Sequence, residues 1–245
     1  MTDHLSHKPI PPEERLIVAL DVPDPEAAKA LVARLGDSVH FYKVGLELFM
    51  AGGYFELVDW LRARGKQVFV DLKFFDVPET VAAAVRQLAR SGATFATVHG
   101  NDQMLAAAAR EKGEVGILAV TVLTSLDQGD MDDLGFRADI GEVVLSRARR
   151  ALEAGCDGVI SSGLEAPRLR ASLGERFLVV SPGIRPGSND RQDDQKRTVD
   201  VEEAFRNGAD YIVVGRPIRA ADDPRAEAER VQARIRSLFA APAEG

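Results

Sequence analysis

The stretch QVFVDLKFFDVPETVAAAVRQLARSG, Gln67–Gly92, decides the reading of the fold. Its first part, Gln67–Lys73, is a short run rich in Val, Leu and Phe, as a buried parallel strand requires. Pro78 then opens a longer amphipathic run to Ser91, and proline is preorganised for a first helical position. Arg90-Ser91-Gly92 closes the unit, with a glycine to take up the left-handed turn beyond the helix.

Working outward, this strand–helix unit repeats along the chain. Strands are expected at Leu16–Asp21, Phe41–Leu46, Gln67–Lys73, Phe95–Gly100, Gly116–Leu123, Gly158–Gly163, Leu178–Ser181 and Tyr211–Gly215. Helices are expected at Asp24–Leu35, Gly53–Arg64, Pro78–Ser91, Asp102–Lys112, Ile140–Ala154, Glu165–Leu173 and Val201–Asn207, with a last one at Pro224–Phe239. Eight such units in 245 residues predict a (β/α)₈ TIM barrel in one domain, residues 16–240. Residues 1–15 and 241–245 are expected to be flexible ends. A doubly wound open sheet is the runner-up, but no GxGxxG follows the first strand.

Composition narrows the function. A net charge of -7, from 31 Lys and Arg against 38 Asp and Glu, opposes broad nucleic-acid binding. The single cysteine, Cys156, leaves no intrachain disulfide, and the four histidines have no close metal-ligand spacing. The amino-terminal residues lack a long apolar run, and no segment approaches ~20 consecutive apolar residues. No membrane contact and a cytoplasmic location are expected.

In a barrel of this kind chemistry gathers at the carboxyl ends of the strands. Asp71 and Lys73, two apart on a strand, point together, while Val70, Leu72 and Phe74 face the other way. Asp76 lies in the turn before the helix. With Lys43 these residues would alternate Lys-Asp-Lys-Asp, which keeps all four ionised forms compatible in a partly dry site. Ordinary accounts stand beside this one. Asp76 could cap the helix, Asp71 and Lys73 could be a structural ion pair, and Lys43 could simply reach solvent. Desolvating two carboxylates around an ammonium is costly, which favours function.

The loops after strands seven and eight carry Ser181-Pro182-Gly183-Ile184-Arg185 and Gly215-Arg216-Pro217. Glycine lets backbone N–H groups approach an anion, and arginine offers a fork suited to phosphate. Between them runs Gly187–Arg197, GSNDRQDDQKR, either a solvated loop or a lid over phosphate.

These segments together resemble the orotidine 5′-phosphate decarboxylase family, bacterial type. The likeness rests on DLKFFDVPET from Asp71, LIVALD from Leu16, FYKVGL from Phe41, VTVLTS from Val120, SPGIRP from Ser181, DQKR from Asp194 and YIVVGRP from Tyr211. It runs from Leu16 to Phe239. It implies a cofactor-free, metal-free decarboxylation of orotidine 5′-monophosphate to uridine 5′-monophosphate in de novo pyrimidine biosynthesis. Lys73 would protonate C6, and Asp71 would face the substrate carboxylate. Asp76 and Thr80 would reach the neighbouring subunit's site in a homodimer with shared active sites. Asp21 and Lys43 would hold ribose hydroxyls and Thr124 the pyrimidine. Pro182, Arg185, Gln195, Gly215 and Arg216 would complete the substrate clamp, with Gln192 the competitor for Gln195. Glu79 stands where bacterial members commonly carry Asn.

Three other functions fit parts of the pattern. A metal-dependent sugar-phosphate decarboxylase would place the Asp-x-Lys-x-x-Asp carboxylates around Mg²⁺ and would lose activity in EDTA. A sugar-phosphate epimerase would need metal-binding histidines. A non-catalytic nucleotide-binding module would be expected to have a broken charged array.

Overall fold

Each strand pairs in parallel with its neighbour in sequence, and the eighth returns to the first, closing a barrel in the order 1 to 8. This arrangement comes from a computed structural model that describes residues 4–186 and 197–240. The strands are β1 (Leu16–Ala19), β2 (Phe41–Val44), β3 (Gln67–Phe74), β4 (Phe95–Val98), β5 (Gly116–Val120), β6 (Gly158–Ile160), β7 (Leu178–Ser181) and β8 (Tyr211–Val214). The helices are α1 (Pro25–Leu35), α2 (Leu46–Ala51), α3 (Tyr54–Arg62), α4 (Pro78–Leu88), α5 (Asp102–Glu111), α6 (Gln128–Asp133), α7 (Ile140–Glu153), α8 (Ala166–Leu173), α9 (Val201–Arg206), α10 (Arg216–Arg219) and α11 (Pro224–Phe239). The expected TIM barrel is the observed fold.

Strand alternation splits the core in two. Leu16, Val18, Tyr42, Val68 and Val70 face outward and pack with the buried helix faces. Ile17, Phe41, Phe69, Phe95, Leu118 and Tyr211 face inward. The inner aromatic rings touch one another: Phe41 lies 5.4 Å from Phe95, and Phe95 lies 5.3 Å from Tyr211. Burial of each such ring contributes roughly 1.5–3 kcal/mol, so the barrel interior is a packed core rather than a pore.

The segment before β1 lies against this floor from His4 onward. Ile10 packs on the inner cluster. The Ser6 hydroxyl donates to the fully buried Asp210 at 2.6 Å, and Lys8 Nζ approaches the same carboxylate oxygen at 2.9 Å. Arg170 Nη2 reaches the other Asp210 oxygen at 2.7 Å. The charge of Asp210 is thus compensated without solvent.

Several departures from the expected elements lie near the open end, two of them in the connections after β2 and β5. β2 stops at Val44, and the chain turns helical at Leu46 instead of running on to Gly53 as a loop. Leu, Glu and Met are strong helix formers, and only Leu48 of that turn is buried, so Leu46 and Met50 remain exposed. In the β5–α7 connection, Asp127 and Asp130 form a reciprocal capping box that starts α6. No helix among the described residues is long and apolar enough to cross a membrane.

Candidate active site

β3 runs longer than its neighbours, and its last residues rise above the packed interior. Its register against β4 shifts between Val70 and Phe74, a bulge that bends the strand end. Lys73 sits at this bulge with φ 49°, the one non-glycine with positive φ among the described residues. That conformation costs an L-residue about 1–2 kcal/mol. Leu72 and Phe74 pack on the outer core, so Asp71 and Lys73 share the inner face as the alternation required.

Asp71 is the hub. Its Oδ1 accepts from Lys73 Nζ at 2.8 Å and from the Thr97 hydroxyl at 2.9 Å. Its Oδ2 lies 3.3 Å from Lys43 Nζ, which also donates to Asp21 Oδ1 at 3.1 Å. Burial pushes the Asp71 carboxyl up, but Lys43, Lys73 and the hydrogen bond from Thr97 outweigh it and hold the pKa below the usual carboxylate value. Burial likewise pulls the Lys43 ammonium down, and Asp71 and Asp21 more than reverse that. Both groups therefore stay charged at neutral pH. Gly45 leaves room for this chain of charges. A Cβ there would stand 3.4 Å from Lys43 Nζ and 3.5 Å from Asp21 Oδ1.

The array forms one wall of a cavity of about 470 Å³. Of the residues singled out in the sequence, Asp21, Lys43, Asp71, Lys73, Thr124, Pro182, Arg185, Gly215 and Arg216 all line it. They come from the ends of β1, β2, β3, β5, β7 and β8. Gln195 and Gln192 lie outside the described residues. Asp76 and Thr80 do not line the cavity and are exposed at the start of α4. The Asp76 carboxylate accepts the Val77 N–H at 2.7 Å, a local contact of the kind an ordinary helix entry makes. Beside it, Phe75 and Val77 are 67% and 60% exposed, which leaves an apolar patch around the acid.

Sequence reading missed two groups that the fold brings in. Thr97 is fully buried under Asp71, and its hydroxyl also accepts the Lys73 N–H at 2.9 Å. Strand alternation could have found it, because Phe95 and Thr97 share the inner face of β4. Arg219 lines the cavity near Arg216, one helical turn further along α10.

A TIM barrel whose cavity is lined by a charged lysine–carboxylate array and by arginine-bearing loops has the architecture of an enzyme acting on a small anionic substrate. The comparisons give that class its particulars. The family model described as "Orotidine 5'-phosphate decarboxylase / HUMPS family" matches residues 14–231. A relative from Methylococcus capsulatus, named orotidine 5′-phosphate decarboxylase, is 68% identical over 241 residues, 98% of this chain and 100% of that protein. One of the same name from Stenotrophomonas maltophilia is 51% identical, covering 97% of this chain and 100% of its own. The crystal structure of orotidine 5′-phosphate decarboxylase from Lactobacillus acidophilus superposes with a TM-score of 0.80 at 37% identity, over 91% of this chain and 99% of that one. The chain belongs to the orotidine 5′-phosphate decarboxylase / HUMPS family and is a decarboxylase.

Proposed function

We propose that this chain converts orotidine 5′-monophosphate to uridine 5′-monophosphate and CO₂ in pyrimidine biosynthesis, with Lys73 as the proton donor. The observation that carries the reading is one buried carboxylate, Asp71, holding two ammonium groups at a cavity that Arg185 and Arg216 also line. When the bond from C6 to the carboxylate breaks, its electron pair stays on C6 and CO₂ leaves neutral. The Lys73 ammonium attracts the developing carbanion and then gives it a proton, ending as an amine that solvent recharges. One charge pair at ~4 Å is worth about 4 kcal/mol at an effective dielectric of 20, roughly a thousandfold in rate. That contact is too small to carry an enzymatic rate by itself. Orientation and remote binding energy must supply the rest.

Arg216 and Arg185, with Gln195, take the phosphate. Asp21 and Lys43 take ribose hydroxyls, and Thr124 and Pro182 flank the base. Asp76 and Thr80 serve the site of a second copy in a homodimer with two-fold symmetry, and the exposed Phe75 and Val77 beside them supply apolar contact area. The working location is the cytoplasm.

The test is an ultraviolet assay of the purified protein with orotidine monophosphate in EDTA. Loss of substrate absorbance and formation of uridine monophosphate are expected at an undiminished rate. A folded protein inactive at saturating substrate would sink the reading. Activity abolished by EDTA would instead favour a metal-dependent sugar-phosphate type of chemistry.

A further inference from the structure

Arg197 is held by side-chain and backbone contacts to the segments that follow β5 and β6. Its side chain is buried between the segments that follow β5 and β6. Nη1 meets Glu165 Oε1 at 2.5 Å, just before α8. Nη2 donates to the carbonyls of Val122 at 3.1 Å and Leu123 at 2.9 Å. Its backbone N–H donates to the Thr124 carbonyl at 3.3 Å, and its own carbonyl accepts from the Ser162 hydroxyl at 3.4 Å. Three consecutive carbonyls after β5 are therefore bound by one residue. Leu123 and Thr124 among them line the cavity.

Two residues further on, Val199 pairs with the other side. The Arg185 N–H donates to the Val199 carbonyl at 2.9 Å, and the Val199 N–H donates to the Gly183 carbonyl at 3.3 Å. Gly183 and Arg185 also line the cavity. Residues 197–199 thus bridge the wall that carries Thr124 and the wall that carries Arg185.

We propose that Arg197 is a positioning residue that sets the Leu123-Thr124 wall relative to Lys73 and the phosphate-side loop. The proposal rests on the decarboxylase reading above. The guanidinium fork is what the geometry requires. One arm is spent on Glu165 and the other on two carbonyls, and a lysine has a single ammonium that cannot span both. Loss of the fork leaves the Thr124 loop free to drift, and misplacement by about 1 Å costs up to about a hundredfold in rate.

The experiment is a double-mutant cycle on kcat/KM between Arg197→Lys and Thr124→Ala, with thermal melting followed alongside. Arg197→Lys should stay cooperatively folded and lose about tenfold or more, chiefly in kcat. In the Thr124→Ala background the same substitution should cost less than about threefold, because the wall it positions no longer contributes. Glu165→Gln, which loosens the guanidinium without removing the fork, should reproduce the pattern more weakly and stands in if Arg197→Lys fails to fold. Equal losses in both backgrounds, or no loss in a folded Arg197→Lys and Glu165→Gln, would overturn the proposal while leaving the decarboxylase reading intact. An inactive wild-type protein would overturn both.

Discussion

Thr97 donates its hydroxyl to Asp71 Oδ1 at 2.9 Å, the same oxygen that Lys73 Nζ reaches from the other side. Because the Thr97 hydroxyl also accepts the Lys73 N–H, one buried side chain steadies both the carboxylate and the strained backbone of Lys73. Thr97→Val keeps the shape and deletes both contacts. The expected result is a loss of about 1–1.5 kcal/mol of transition-state stabilisation, close to tenfold in kcat/KM, with a cooperative melt. Unchanged turnover would mean that the lysines alone hold Asp71 in place.

Lys73 at φ 49° separates a chemical effect from a conformational one. Both Lys73→Ala and Lys73→Gly should abolish turnover. Alanine keeps the left-handed strain and glycine relieves it, so the glycine variant should be the more stable by about 1 kcal/mol. Denaturant unfolding of the two inactive variants gives the comparison, and a more stable alanine variant would contradict the backbone assignment.

The charged array also fixes a pH dependence. The Asp71 pKa is depressed below 3.8, so the stability it contributes is present above that value and is lost as pH falls through the folded-state value. The Lys43 pKa is raised above 10.5, so its contribution is present below that value and is lost as pH rises through the folded one. The destabilisation caused by Asp71→Asn should therefore be constant near neutrality and shrink in strong acid. That caused by Lys43→Met should shrink in strong alkali, as the ammonium itself is lost. Urea midpoints of wild type and variants across pH read this directly, and an Asp71→Asn effect that shrinks between neutral and mildly alkaline pH would contradict the sign.

The shared-site homodimer is tested by mixing two inactive chains, Lys73→Ala and Asp76→Ala, through joint refolding. In a mixed dimer one site collects both lesions and the other none. Random pairing should restore roughly a quarter of wild-type activity if the sites act independently. A well-mixed sample that stays inactive places Asp76 in its own chain's site.

Much of this was legible in the residues because burial leaves a simple signature. Runs such as Leu16–Ala19 and Tyr211–Val214 are apolar throughout, since both faces of a barrel strand are covered. The charged positions stood out for the opposite reason, as polar residues within or just beyond such runs. What was not legible came from tertiary pairing. Nothing in Asp71-Leu72-Lys73 announces a bulge or a positive φ at a lysine, because the β4 register imposes it. Leu46 read as the end of a strand and Glu47–Ala51 as no element, because apolar residues on a short exposed helix have no period to betray them. Arg197 looked like part of a polar loop, and only the fold reveals that its side chain turns inward.

The aromatic rings that fill the lower barrel also govern traffic. Phe41, Phe69, Phe95 and Tyr211, backed from beneath by Ile10, make the cavity a cul-de-sac. With the floor closed, the substrate, CO₂ and nucleotide product of the proposed reaction would share one doorway, and the solvent proton that would recharge Lys73 would arrive through it too. A nucleotide seated across that doorway holds back the next proton as well as the next substrate. On the proposed mechanism, emptying the cavity and resetting its acid would therefore be a single event in each round of turnover.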